Sequence, residues 1–113
     1  RAASEARKIE MYALKLTEEA KRNYREIVSY VLESNGSART AEKLLQNLRE
    51  EAYRLCDFPD LGALPKDKIL RSRGYRYLVT GEYLTFYSVN EEAREITVLT
   101  VLHAKRDYLL MLK

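Results

Sequence analysis

His103, Lys105 and Arg106 stand together in the stretch LHAKRDY, where an apolar, strand-like run gives way to charge, and His103 is the only histidine in the chain. A second basic set, Lys66, Lys68, Arg71, Arg73 and Arg76, lies in PKDKILRSRGYR against the single acid Asp67. Side chains of these types can cleave a phosphodiester through the ribose 2′-hydroxyl without a metal. That reaction needs a base for the hydroxyl, cations for the charge gathering on phosphorus, and an acid for the leaving oxygen. Arg76 and Arg106 would supply the charge, and His103, a residue type that titrates near neutral pH, would move the proton. The plainer reading of His103 is a strand-end imidazole bonded to backbone. Asp107, next to Arg106, reads equally as a helix cap or an ion-pair partner. A basic run is usually a solvated face. Here the bases straddle a strand-like segment beside tyrosines, which favours a surface for phosphate or for an acidic protein.

Other chemistries find little support. The glycines at 36, 62, 74 and 81 stand singly in turns, so there is no Gly-rich loop of the nucleotide-binding kind. One histidine and one cysteine make no zinc cluster, and the acids fall mainly on helix surfaces, so neither metal nor cofactor is expected. Nothing resembles a nucleophile elbow. Of nine tyrosines, Tyr75, Tyr77, Tyr83 and Tyr87 fall in strand patterns. There, aromatic cross-strand packing is the first reading and stacking on RNA bases the alternative.

The elements that must position these residues belong to one domain. The chain has 113 residues, 46% hydrophobic and 33% charged, enough for a single core and too apolar for disorder. No apolar run approaches the ~20 residues of a membrane helix, and the first residues lack the apolar centre of a signal peptide. A cytoplasmic protein without a membrane partner is expected, with Cys56 a buried free thiol. The net charge of +3 is uneven: residues 1–63 carry 11 basic and 11 acidic side chains, residues 64–113 carry 9 and 6.

Residues 1–10 read as an appended remnant, a fused fragment or a genuine extension, and residues 11–113 as the domain, with Met11 its natural start. MYALKLT alternates with Tyr12, Leu14 and Leu16 on one face, a first strand. From Thr17 the period becomes helical. Thr17 can cap, Glu18 and Glu19 suit the helix dipole, and Ala20, Tyr24, Ile27, Val28, Val31 and Leu32 form one stripe. Asn35-Gly36 stops that helix. Ser37 or Thr40 starts a second, with a stripe of Ala41, Leu44, Leu45, Leu48, Ala52 and Leu55, which Pro59 ends. So short a turn makes the two helices an antiparallel hairpin. KILRS reads as a short strand. YRYLVT and YLTFYSV flank Gly81-Glu82 as a hairpin with a type II′ turn, and EITVLTVL is a last strand before a short C-terminal helix in HAKRDYLLMLK. The order β-α-α-β-β-β gives an α+β fold, a helical hairpin on a small, mainly antiparallel sheet.

These residues resemble the RelE/ParE superfamily of bacterial toxins from type II toxin–antitoxin modules over roughly residues 11–109. The likeness rests on the hairpin YRYLVTGEYLTFYSV, on the strand closing with an LHxxRD pattern, and on FPDLG at Phe58 to Gly62. The resemblance implies a growth-inhibiting, plasmid-stabilising toxin neutralised by a cognate antitoxin. The antitoxin would carry an acidic, amphipathic segment that wraps the helical hairpin and covers the basic sheet face. A homodimer or a toxin–antitoxin hetero-oligomer is implied as well. The superfamily divides into ParE-like members that poison DNA gyrase without catalysis and RelE-like members that cut ribosome-bound mRNA. RSRGYR is similar to the RelE stretch whose last arginine contacts the scissile phosphate, which would put that role on Arg76. Arg106 lies where the second catalytic arginine stands, while His103 belongs to the ParE-like LHxxRD pattern, so the resemblance itself gives it no catalytic role. Lys66, Lys68, Arg71, Arg73, Lys105 and Tyr108 would then bind RNA or a protein partner. Lys66 and Lys68 match the RelE lysines only approximately, Tyr108 falls too early for the RelE tyrosine, and the hairpin and LHxxRD are ParE-like. The resemblance therefore leans to the gyrase-binding group.

Overall fold

The computed structural model describes residues 11–106 and Leu112. The N-terminal extension, Tyr108 and nearly all of the expected C-terminal helix lie outside the described residues.

The first strand, β1 (Ala13–Leu16), gives way at Thr17 to the first helix, α1 (Glu18–Asn35). Thr17 makes both joins. Its hydroxyl accepts the Ala20 N–H at 3.0 Å, capping α1, and donates to the Leu99 carbonyl at 2.7 Å, fastening the helix start to the sheet. Glu18 and Glu19 occupy the first turn, where the exposed N–H groups favour negative charge. Gly36 ends the helix at φ 74°, a left-handed value that costs glycine little, and its N–H reaches the Leu32 carbonyl at 2.7 Å. Ser37, not Thr40, caps the second helix, α2 (Ala38–Arg54), by accepting the Thr40 N–H at 3.1 Å.

Ala20, Tyr24 and Ile27 of α1 and Ala41, Leu48 and Ala52 of α2 are buried. Leu32 departs from the expected stripe and is 40% exposed. The second helix stops at Arg54, before Pro59, because Leu55 to Asp57 tighten into turns whose N–H groups reach back three residues. Cys56 is a buried free thiol.

KILRS is not a strand. Lys68–Ser72 forms a short third helix, α3, capped by Asp67, whose Oδ1 accepts the Ile69 and Leu70 N–H groups at 2.9 and 3.1 Å. Leu70 is its buried anchor.

Three antiparallel strands follow: β2 (Arg76–Thr80), β3 (Tyr83–Asn90) and β4 (Glu95–His103). Gly81, at φ 60°, takes the first position of the two-residue turn between β2 and β3, as that turn demands. The sheet order is β1-β4-β3-β2, and β1 pairs with β4 in parallel. The ladder between β3 and β4 shifts at Phe86/Tyr87, so Phe86 faces Thr100 while Tyr87 faces Val98. This bulge leaves Leu99 outside the pairing. The Thr17 hydroxyl takes the Leu99 carbonyl, and Asn23 of α1 binds the next two residues, its Oδ1 accepting the Thr100 hydroxyl at 2.8 Å and the Val101 N–H at 2.9 Å.

The helices cover one face of the sheet. Val98 and Val101 pack under Ala20, Tyr24, Ile27, Leu48 and Ala52, while Tyr87 and Ile96 meet Leu55 and Leu78. Each fully buried aliphatic side chain there contributes about 1.5–3 kcal/mol. On the opposite face Leu84, Phe86 and Leu102 form a smaller cluster with Tyr77 and Leu112.

Candidate functional site

His103 is the last residue of β4 and pairs with Tyr83, the first residue of β3. That register puts the imidazole beside the tight turn at Gly81-Glu82. Its Nε2 lies 2.8 Å from Glu82 Oε1, and its Nδ1 accepts the Lys105 backbone N–H at 3.1 Å. Since Nδ1 accepts, Nε2 carries the ring proton and donates to the carboxylate. The ring stands edge-on to Tyr83 at 5.4 Å. Both ring nitrogens are therefore engaged in holding the strand end. Ala104 N–H to the Glu82 carbonyl at 2.7 Å and Arg106 N–H to the His103 carbonyl at 2.9 Å complete the turn.

Lys105 and Arg106 leave this turn exposed, on the rim of a groove of about 890 Å³ between α1 and the end of β4. Arg22, Lys105, Arg106 and His103 line it together with Glu19, Glu26 and Glu82. The mixed signs set this groove apart from the one-signed cleft that concentrates a polyanion.

Arg76 lies elsewhere. It opens β2, faces Tyr87 across the ladder, and donates from Nη1 to the Gly62 carbonyl at 2.8 Å. Nη2 is 3.8 Å from the Asp60 carboxylate. The expectation that positions around Arg76 and Arg106 approach one another on neighbouring strands meets two obstacles. β2 and β4 are separated by β3. In addition, Thr80, four residues beyond Arg76, is the β2 residue in the row of Tyr83 and His103. Four residues of strand span about 13 Å, and two strand spacings add about 10 Å sideways. What lies beside the His103 turn is Gly81, Glu82 and Tyr83, a stretch without a cation.

The other arginines of that run are also occupied. Arg71 Nε donates to the Pro65 carbonyl at 3.0 Å, and Arg73 Nη1 to the Leu112 carbonyl at 2.8 Å. Lys66 and Lys68 are exposed, Lys68 as the first residue of α3. The basic segment thus latches loop and C-terminal backbone to the sheet, and its lysines face solvent.

FPDLG forms the other half of that latch. Tyr87 Oη donates to the Pro59 carbonyl at 2.7 Å and accepts the Gly62 N–H at 2.9 Å. Ala63 continues as a bridge to Tyr77, with N–H to O bonds of 2.8 and 3.0 Å. Phe58 is 59% exposed and takes no part in the core. Burial pushes the Tyr87 phenol above its ordinary range, with the Gly62 N–H and Arg76 opposing. Of the strand tyrosines, Tyr77 packs against Phe86 with ring centroids 5.5 Å apart, a packing role.

Among the described residues no group of three or more His, Cys, Asp or Glu side chains could hold a metal ion, and no described helix is long and apolar enough to cross a membrane. A second cleft, between α1 and α2, drew no attention in the sequence, because its Tyr24, Arg25 and Arg49 fall within ordinary amphipathic stripes.

Residues 14–108 match the family of ParE toxins of the type II toxin–antitoxin system parDE. No curated protein sequence matches the chain. Among solved structures, the chromosomal ParDE toxin–antitoxin system of P. aeruginosa superposes with a TM-score of 0.70 at 21% identity, covering 85% of this chain and 99% of that one. The RelBE2 toxin–antitoxin complex of Mycobacterium tuberculosis gives 0.61 at 20% identity, with 84% and 94% covered. The intact RelBE toxin–antitoxin complex of E. coli gives 0.56 at 17% identity, with 84% and 99% covered. At these identities the likeness is one of fold.

Proposed function

This chain belongs to the ParE toxin family of type II toxin–antitoxin systems, and from that premise we propose that it arrests growth by binding DNA gyrase rather than by cutting RNA. One observation carries the choice of mechanism: Arg76 opens β2, while Arg106 lies in the turn beyond the end of β4, and β3 separates the two strands. Arg76 is committed to the Gly62 carbonyl, and His103 is committed at both nitrogens. A phosphorane needs its cations and its proton donor within hydrogen-bond reach of one another's substrate atoms. The mixed charge of the groove beside Arg106 suits a protein partner better than a nucleic-acid backbone.

The toxin works in the cytoplasm, where its target is, and a cognate antitoxin holds it inactive. Gyrase is engaged through the helical hairpin and the C-terminal tail. The test pairs growth with RNA. The Arg76→Ala/Arg106→Ala double variant, expressed at wild-type level, retains most of its growth arrest, and ribosomes stalled on a defined mRNA keep that mRNA whole when wild-type chain is added. Loss of arrest by orders of magnitude, with a cut inside the decoding site, would replace this reading with a ribosome-dependent nuclease.

A further inference from the structure

The loop from Asp57 to Leu61 is a surface turn that the fold holds from inside. The hydroxyl of the buried Tyr87 binds it at Pro59 and at Gly62, and the Arg76 guanidinium binds it at the Gly62 carbonyl. The Leu61 N–H closes the turn on the Phe58 carbonyl at 3.0 Å. The apolar side chains so fixed nevertheless face solvent, Phe58 being 59% and Leu61 40% exposed. Asp57 and Asp60 stand beside them, both exposed, and no base lies within the turn. Asp60 is 3.8 Å from Arg76 Nη2, yet its side chain stays 81% exposed. A rigid turn that offers an aromatic and an aliphatic side chain to solvent has the form of an interface anchor, since it loses little freedom on docking.

The cleft between α1 and α2 is the complement of that turn. It has a volume of about 590 Å³, with walls of Leu16, Val28 and Leu45, a rim of Lys21, Arg25 and Arg49, and no acid in its lining. Lys21 is paired with Glu18 at 3.3 Å, whereas Arg25 and Arg49 have no ion-pair partner among the described residues. We propose that the turn of one chain seats in this cleft of a second copy, and the second turn in the first cleft, making a dimer of twofold symmetry. Phe58 and Leu61 meet the apolar walls, while Asp57 and Asp60 meet Arg25 and Arg49 at the rim. The occupant comes from another copy because the turn is tied to Tyr87 at Pro59 and Gly62 and cannot swing to the cleft of its own chain. Each copy gives one turn and one cleft, so the exchange closes at two chains. Nucleic acid and anionic lipid are poor occupants for so acidic a turn. The inference goes beyond the toxin reading and stands without it, since both surfaces belong to this chain.

Sedimentation equilibrium of the full chain over a range of concentrations tests this, with three variants at exposed positions. Wild type forms a dimer, and Phe58→Ala weakens it by about 10-fold or more. Arg25→Glu/Arg49→Glu reverses the cleft and Asp57→Arg/Asp60→Arg reverses the turn, so each of these chains alone sets like charges together and is monomeric. Mixed in equal amounts they form a heterodimer, because the acidic turn of one meets the basic cleft of the other, and the basic turn meets the acidic cleft. A wild type still monomeric at about 1 mM overturns the proposal, and so does a Phe58→Ala dimer of wild-type strength. Reversed chains that dimerise alone, or that stay apart when mixed although each melts as wild type does, overturn it as well. If a reversed chain fails to fold, Phe58→Ala decides.

Discussion

Tyr87 holds Gly62 through a single hydroxyl that works in both directions, accepting the Gly62 N–H at 2.9 Å while donating to the Pro59 carbonyl at 2.7 Å. The closeness of that grip requires glycine. A Cβ at Gly62 would stand 2.7 Å from Tyr87 Cε1 and Oη and 2.8 Å from the Tyr77 carbonyl, distances that real side chains do not adopt. Gly62→Ala is therefore expected to destabilise the fold by about 1–3 kcal/mol through overpacking. Tyr87→Phe is expected to cost about the same, because it leaves a buried N–H unpaired. Urea denaturation of the two variants measures both. Unchanged midpoints would mean that the loop is held some other way.

Arg76 closes the same loop from the other side, through the Gly62 carbonyl at 2.8 Å. Arg76→Ala should lower stability by about 1 kcal/mol, a hydrogen bond from a charged donor discounted for its partial exposure. Its growth arrest should fall no further than the lost stability explains. The check is a chemical denaturation curve beside a growth curve at matched expression.

Asn23 ties α1 to β4 just past the bulge between β3 and β4. Asn23→Ala removes the acceptor for both the Thr100 hydroxyl and the Val101 N–H. Two part-buried donors lose their partner at once, and the expected loss is about 2–4 kcal/mol. Hydrogen exchange should place the weakening at the C-terminal half of β4, with the Val101 amide the most affected.

Alkaline pH should unfold the chain. Burial raises the Tyr24 and Tyr87 phenols above their ordinary 10.0 and the Cys56 thiol above its ordinary 9.0. For each of these acids the folded state keeps its proton longer than the unfolded state does. Their contribution is complete below the unfolded values and is lost as pH climbs through the raised ones. Stability should hold level below about pH 9, fall once the unfolded thiol ionises, and fall more steeply above about pH 10. Tyr87→Phe should flatten the steeper part, which melting temperatures taken across that range would detect.

Much of this architecture was legible in local chemistry. Thr17 and Ser37 announced their helices because a hydroxyl before an amphipathic run has an N–H to satisfy, and Gly36 and Gly81 marked positive-φ turns. KILRS misled because five residues are too few to separate a period of two from 3.6. The better signal was Asp67, a capping side chain directly before the run. That β3 separates the strand of Arg76 from the strand leading to Arg106 was not legible, because strand order and register are decided by non-local pairing. The parallel pairing of β1 with β4 and the bulge opposite Phe86/Tyr87 are of the same non-local kind. Tyr24 read correctly as core, but only its environment reveals that its hydroxyl lacks a partner.

The account turns on a target bound without chemistry, and plasmid supercoiling by purified DNA gyrase tests that most directly. Relaxed plasmid, gyrase and ATP are mixed with increasing amounts of the folded chain, and the topoisomers are resolved on a gel. Supercoiling should fall with dose, and pre-mixing the chain with its antitoxin should restore it. Full supercoiling at a large excess of a chain that is folded and arrests growth in cells would contradict the account.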